Sequence, residues 1–102
     1  MNSQVATNHV LRGLTLGISH AAGNQGASIL IIQTMLKQEG YNLNISDIMA
    51  ICQYLEGKGL IEIENIRNPI QKISRDIIKI TPKGIDVLEG TEQVNGLELV
   101  IE

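Results

Sequence analysis

The hydrophobic pattern of this chain changes period once, and that change constrains the fold more than any other feature. As far as Gly57, apolar side chains recur every three or four positions; within Leu60 to Ile66, the run Ile61-Glu62-Ile63-Glu64 alternates apolar and polar. The first spacing lays a stripe along a helix, and the second lays a face along a strand. A helical half followed by a small sheet is expected, that is, a mainly α chain with a β-hairpin (α+β).

The helical half divides into three segments. Gln4 to Ala21 carries Val10, Leu11, Leu14 and Ile18 at helical spacing, with Gly13 and Gly17 four apart on one face. Each glycine costs a helix about 1 kcal/mol against alanine. Close approach to another helix is one use for the pair, and tolerated surface positions are the other. Gly23-Asn24-Gln25-Gly26 is a break with turn chemistry. Ser28 to Glu39 reads as the second helix, with Ile29, Ile32 and Leu36 as its stripe and Gly40 as its stop. Ile45 to Gly57 reads as the third, capped by Ser46 or by Asn44. Its stripe is Ile45, Ile48, Met49, Cys52 and Leu55, and its other face shows Ser46, Asp47, Ala50, Gln53, Tyr54 and Glu56.

After Gly57-Lys58-Gly59, Leu60 to Ile66 is expected as a strand and Ile73 to Ile80 as a second. The polar connection between them, opening at Arg67-Asn68-Pro69, is long for a simple hairpin and predicts a mobile tip. Thr81 and Pro82 suit the cap and first turn of a short closing helix that Gly90 ends. The chain of 102 residues is one domain, 1–90, followed by an acidic tail, 91–102. The tail is expected to be poorly ordered unless it pairs with another copy, with a brief strand at Leu97–Ile101.

Charge is unevenly distributed. The formal total is −3. Yet Arg67 to Lys83 holds five bases against one acid, a net +4, and the remainder carries −7. Bulk charge therefore repels polyanions while one segment attracts them. Apolar residues at 43% and charged residues at 19% exclude intrinsic disorder. A single cysteine excludes an internal disulfide framework and a cysteine-built zinc site. No apolar run approaches the roughly 20 residues of a membrane span. Met1-Asn2-Ser3-Gln4 shows no basic start to a secretory signal, so a cytoplasmic domain without membrane association is expected.

Two passages resemble a known superfamily. Leu55-Glu56-Gly57-Lys58-Gly59-Leu60-Ile61 is similar to the "L-E-x-x-G-L-I/V" run from recognition helix to wing in bacterial and phage winged helix-turn-helix regulators. Ile80-Thr81-Pro82-Lys83-Gly84-Ile85 resembles the "L-T-x-x-G" run that follows the wing in the same proteins. Gly90, Val94 and Gly96 also resemble the tail of small winged-helix proteins from Mu-like phages. The resemblance covers about Val10 to Gly90. It implies three helices, a two-stranded wing and a short C-terminal helix. The third helix would enter the major groove of double-stranded DNA, and the wing would touch phosphate or the minor groove.

On that pattern the candidate DNA-contacting residues are Ser46, Ala50, Gln53, Tyr54 and Lys58 from the third helix, and Arg67, Asn68, Lys72 and Arg75 from the wing. Gln53 is the best base-reading side chain of the helix. The helix departs from DNA-binding relatives in carrying no Arg or Lys before Lys58 and in presenting Asp47 and Glu56. No catalytic residues, metal ligands or cofactor are expected. His9 and His20 stand about 16 Å apart along one helix, too far to share an ion. Cys52 lies on an apolar stripe. Gly23–Gly26 lacks the strand and lysine of a phosphate loop. The leading expectation is a DNA-binding transcriptional regulator, phage or prophage encoded, acting as a homodimer. The rival from another class is a winged-helix protein-interaction or assembly module that binds no DNA.

Overall fold

The computed structural model describes residues 3–99. Among them the chain forms four α-helices and three strands: α1 (Ser3–Ala21), β1 (Ala27–Ser28), α2 (Ile29–Gln38), α3 (Ile45–Gly57), β2 (Ile61–Asn68), β3 (Ile73–Ile80) and α4 (Pro82–Leu88), with a 3-10 turn at Gly23–Gln25. The architecture is α+β.

Capping side chains set the helix starts. The Ser28 hydroxyl accepts from the Ile31 amide at 3.2 Å, so Ser28 caps α2 and lies outside it. Asn44, not Ser46, caps α3. Its Oδ1 accepts from the Asp47 amide at 2.8 Å while Asp47 Oδ2 accepts from the Asn44 amide at 3.2 Å. This capping box satisfies two otherwise orphaned donors. It also turns Ile45 outward: that residue is 41% exposed and does not belong to the buried stripe expected of it. Thr81 caps α4 by accepting from the Gly84 amide at 3.1 Å, with Pro82 in the first turn.

The sheet is antiparallel in the order β1-β3-β2. Strand β1 is an addition to the two strands expected. Its two residues pair Ala27 with Ile78 and Ser28 with Ile77, too short a run to show alternation. Strands β2 and β3 pair along their whole length, from Ile61 opposite Ile80 to Asn68 opposite Ile73. The connection is thus four residues, 69–72, not a long loop. Asn68 Oδ1 accepts from the Ile70 and Gln71 amides, both at 3.1 Å, and Lys72 takes a left-handed φ of 54°. A hydrogen-bonded turn stands where a long connection was expected.

One core joins helices and sheet. Leu16 of α1, Ile32 and Leu36 of α2, Ile48, Cys52 and Leu55 of α3, and Leu60, Ile61 and Ile78 are all buried together. Of the stripe expected on α1, Leu11 is buried while Val10, Leu14 and Ile18 are half-buried, and Leu16, outside that stripe, is fully buried. Gly84 serves close approach. A side chain there would collide with the Leu60 carbonyl and meet Ile80 Cγ1 at 2.7 Å. Thr81 completes the junction: its amide donates to the Leu60 carbonyl at 3.1 Å and its hydroxyl to the Gly59 carbonyl at 2.6 Å.

The tail returns to its own chain. The Glu98 amide donates to the His9 carbonyl at 2.9 Å, Arg12 Nη1 donates to the Gly96 carbonyl at 3.2 Å, and Val94 and Leu97 pack against the core. This corrects the expectation of poor order up to Leu99 and gives Gly13 its purpose. A side chain at Gly13 would strike the Glu98 carbonyl, so the glycine seats the tail and not another helix. A side chain at Gly17 would meet no neighbour. Leu97–Leu99 is not a strand, and the rest of the strand expected there, Val100–Ile101, lies outside the described residues.

Candidate functional site

Helix α3 presents Ser46, Ala50 and Gln53 to solvent on one side, as the sequence indicated, with Lys58 exposed just beyond its end. Tyr54 is different. It is half-buried, the Arg12 guanidinium lies 3.7 Å from its ring centroid, and Lys58 Nζ is 5.6 Å away. Arg12 thus joins α1, α3 and the tail through one stacked and one hydrogen-bonded contact. Sequence reasoning missed this role because both contacts join Arg12 to residues distant in the chain. Tyr54 is spent on that contact more than on an outside partner.

The two acids of α3 have local duties. Asp47 belongs to the capping box. Glu56 Oε2 accepts from the Ile63 amide at 3.1 Å, which ties α3 to β2, an edge of the sheet. An edge amide needs such a partner or water. Both carboxylates remain exposed beside the helix.

The hairpin divides into an inner half and an outer half. In the inner half Lys79 pairs with Glu64 at 2.7 Å, and Ile61, Ile63, Ile78 and Ile80 face the core. In the outer half Asn65 Nδ2 donates to Asp76 Oδ1 at 2.8 Å and Arg67 Nε donates to Asn65 Oδ1 at 3.0 Å. Arg67, Lys72 and Arg75 are exposed, and none forms an ion pair among the described residues. Asn68 uses its carbonyl to close the turn and its amide to reach Gln71 Oε1 at 3.4 Å. The register sets Arg67 opposite Ser74 and Arg75 opposite Ile66, so the two arginines lie on opposite faces of the ribbon. Arg67, Lys72 and Arg75 thus share the outer half of the hairpin but not one face of it, while Ser46, Ala50 and Gln53 lie on α3.

Cys52 is fully buried, and burial first, then the charges of Asp76 and Glu56, push its thiol from 9.0 up to about 12. The folded thiol is a packing group and not a nucleophile. In the native protein Cys52 is expected to resist an aromatic disulfide reagent at pH 8 and to react after urea is added. The sign for stability follows from proton counting. Between pH 9 and 12 the unfolded thiol loses its proton and the folded one keeps it. Stability should therefore fall as pH rises through that window, by at most about 1.4 kcal/mol per unit, with no contribution below it. Cys52→Ala should flatten that slope in urea titrations.

Among the described residues no three His, Cys, Asp or Glu side chains stand close enough to hold a metal ion. No described helix is long and apolar enough to cross a membrane. No protein-family model matches the chain, and no curated protein matches it.

Proposed function

We propose that this chain is a winged-helix DNA-binding protein of transcription-regulator type whose hairpin is the wing and main contact with the duplex. The order of three helices, hairpin and closing helix supports that reading. So does the junction in which the two winged-helix-like passages lock together at Leu60, Thr81 and Gly84. The observation that carries it is the outer hairpin of a net-acidic chain: three exposed cations that form no ion pair among the described residues. Helix α3 supplies orientation and, through Gln53, a modest base preference.

Binding that rests on few phosphate contacts is weak and salt-sensitive. Three contacts per chain give a slope of log K against log salt of about −3, and two chains on paired half-sites about −6. Fluorescence anisotropy of a labelled mixed-sequence duplex, titrated from about 50 mM salt upward, measures the slope directly. No binding by tens of micromolar protein at the lowest salt rejects the proposal. A second reading, an interaction module, draws support from α2, where Leu30 and Ile31 are 66% and 52% exposed. It requires that duplex DNA of any sequence fail to bind.

A further inference from the structure

The most exposed large apolar side chain among the described residues is Ile70, 92% exposed at the apex of the hairpin. It does not sit on a loose loop. Pro69 precedes it, and the Asn68 carboxamide holds its amide and that of Gln71, each at 3.1 Å. Arg67 and Arg75 flank it from opposite faces of the ribbon and Lys72 from the turn itself. An apolar apex thus stands between cations directed to both sides.

Resting on the DNA-binding reading above, we propose that Ile70 is a wedge: the hairpin meets the minor groove tip first, Arg67 and Arg75 engage the two phosphate backbones, and Ile70 enters a base step and unstacks it. Apolar side chains act in this way in minor-groove binders that kink DNA. Charge complementarity selects the occupant, since a ribbon with an arginine on each face matches a groove walled by phosphates. Ile70 stands alone at the apex, and one side chain suffices to open a base step, while the other exposed apolar side chains of the outer hairpin, Ile66 and Ile73 (48% and 39%), lie further back on one face of the ribbon. The wedge also gives the protein a source of selectivity that α3, without Arg or Lys, barely supplies. Flexible pyrimidine–purine steps such as TA unstack easily and stiff A-tracts do not.

The test uses full-length protein and two duplexes, one with a central TA step carrying 2-aminopurine and one with a central A-tract. The wild-type chain should raise the 2-aminopurine fluorescence, bring end-placed dyes closer, and prefer the TA duplex by roughly tenfold. Ile70→Ala should lose the fluorescence rise and the preference while binding the A-tract duplex within about twofold of wild type, because the phosphate contacts remain. Ile70→Leu should restore both. Circular dichroism confirms that the variants fold. If Ile70→Ala unstacks and discriminates as wild type does, the wedge is wrong and DNA binding stands. If wild type binds neither duplex, both readings fall. Binding instead to phosphatidylcholine–phosphatidylserine vesicles, lost in Ile70→Ala, overturns the wedge and assigns the tip to a lipid surface.

Discussion

Leu55→Ala is expected to lower the stability of the domain by about 2–5 kcal/mol, read as a fall in the urea midpoint at constant slope. Leu55 is fully buried where α3 meets the rest of the core, in one cluster with Ile32, Leu36, Ile48 and Leu60. Truncation removes transfer free energy and leaves a cavity that helices held from several sides cannot close. A domain of this size has about 5–15 kcal/mol in total, so the loss is a large share of it. Ile45→Ala is the control. Ile45 is 41% exposed ahead of the same helix's buried stripe, and its removal should cost well under half as much. Equal midpoints for Leu55→Ala and wild type would mean that the core is not built as described.

On the proposed DNA-binding function, replacing Arg67, Lys72 and Arg75 together by alanine should abolish duplex binding and leave the urea midpoint close to wild type. All three are exposed in the outer half of the hairpin, and none has an ion-pair partner to lose among the described residues. Each phosphate contact removed takes about 0.9 from the salt slope, so single variants should lower it stepwise and the triple variant should leave almost nothing. Lys79→Ala should do little, because Lys79 already pairs with Glu64 at 2.7 Å and an exposed pair of that kind adds little to stability. Salt slopes from anisotropy, with circular dichroism as the fold control, check both statements. A triple variant that binds like wild type would move the contact surface away from the hairpin.

The outward face of α3 was legible because Ser46, Ala50 and Gln53 recur at helical spacing opposite a buried stripe. The cationic hairpin was legible because its bases cluster in sequence. Ile70 carried one available signal, an apolar residue inside a polar connection, but only the turn geometry shows that it is held out and not folded in. Ile45 misled for a local reason: it is in register with the stripe, yet the Asn44–Asp47 box starts the helix where that side chain still faces water.

Local pattern by itself determined the three helices, the alternating strands, the α+β class and the position of the positive charge, because each depends on neighbours a few residues away. Tertiary structure decided what depends on distant pairs. Strand β1 exists because Ala27 and Ser28 find Ile78 and Ile77 some fifty residues on. The tail is ordered to Leu99 because Gly13 leaves room for Glu98 against α1 and Arg12 holds Gly96. Contacts of that kind leave no periodic trace, since one glycine or one arginine in a helix looks the same in sequence whether or not something arrives to meet it.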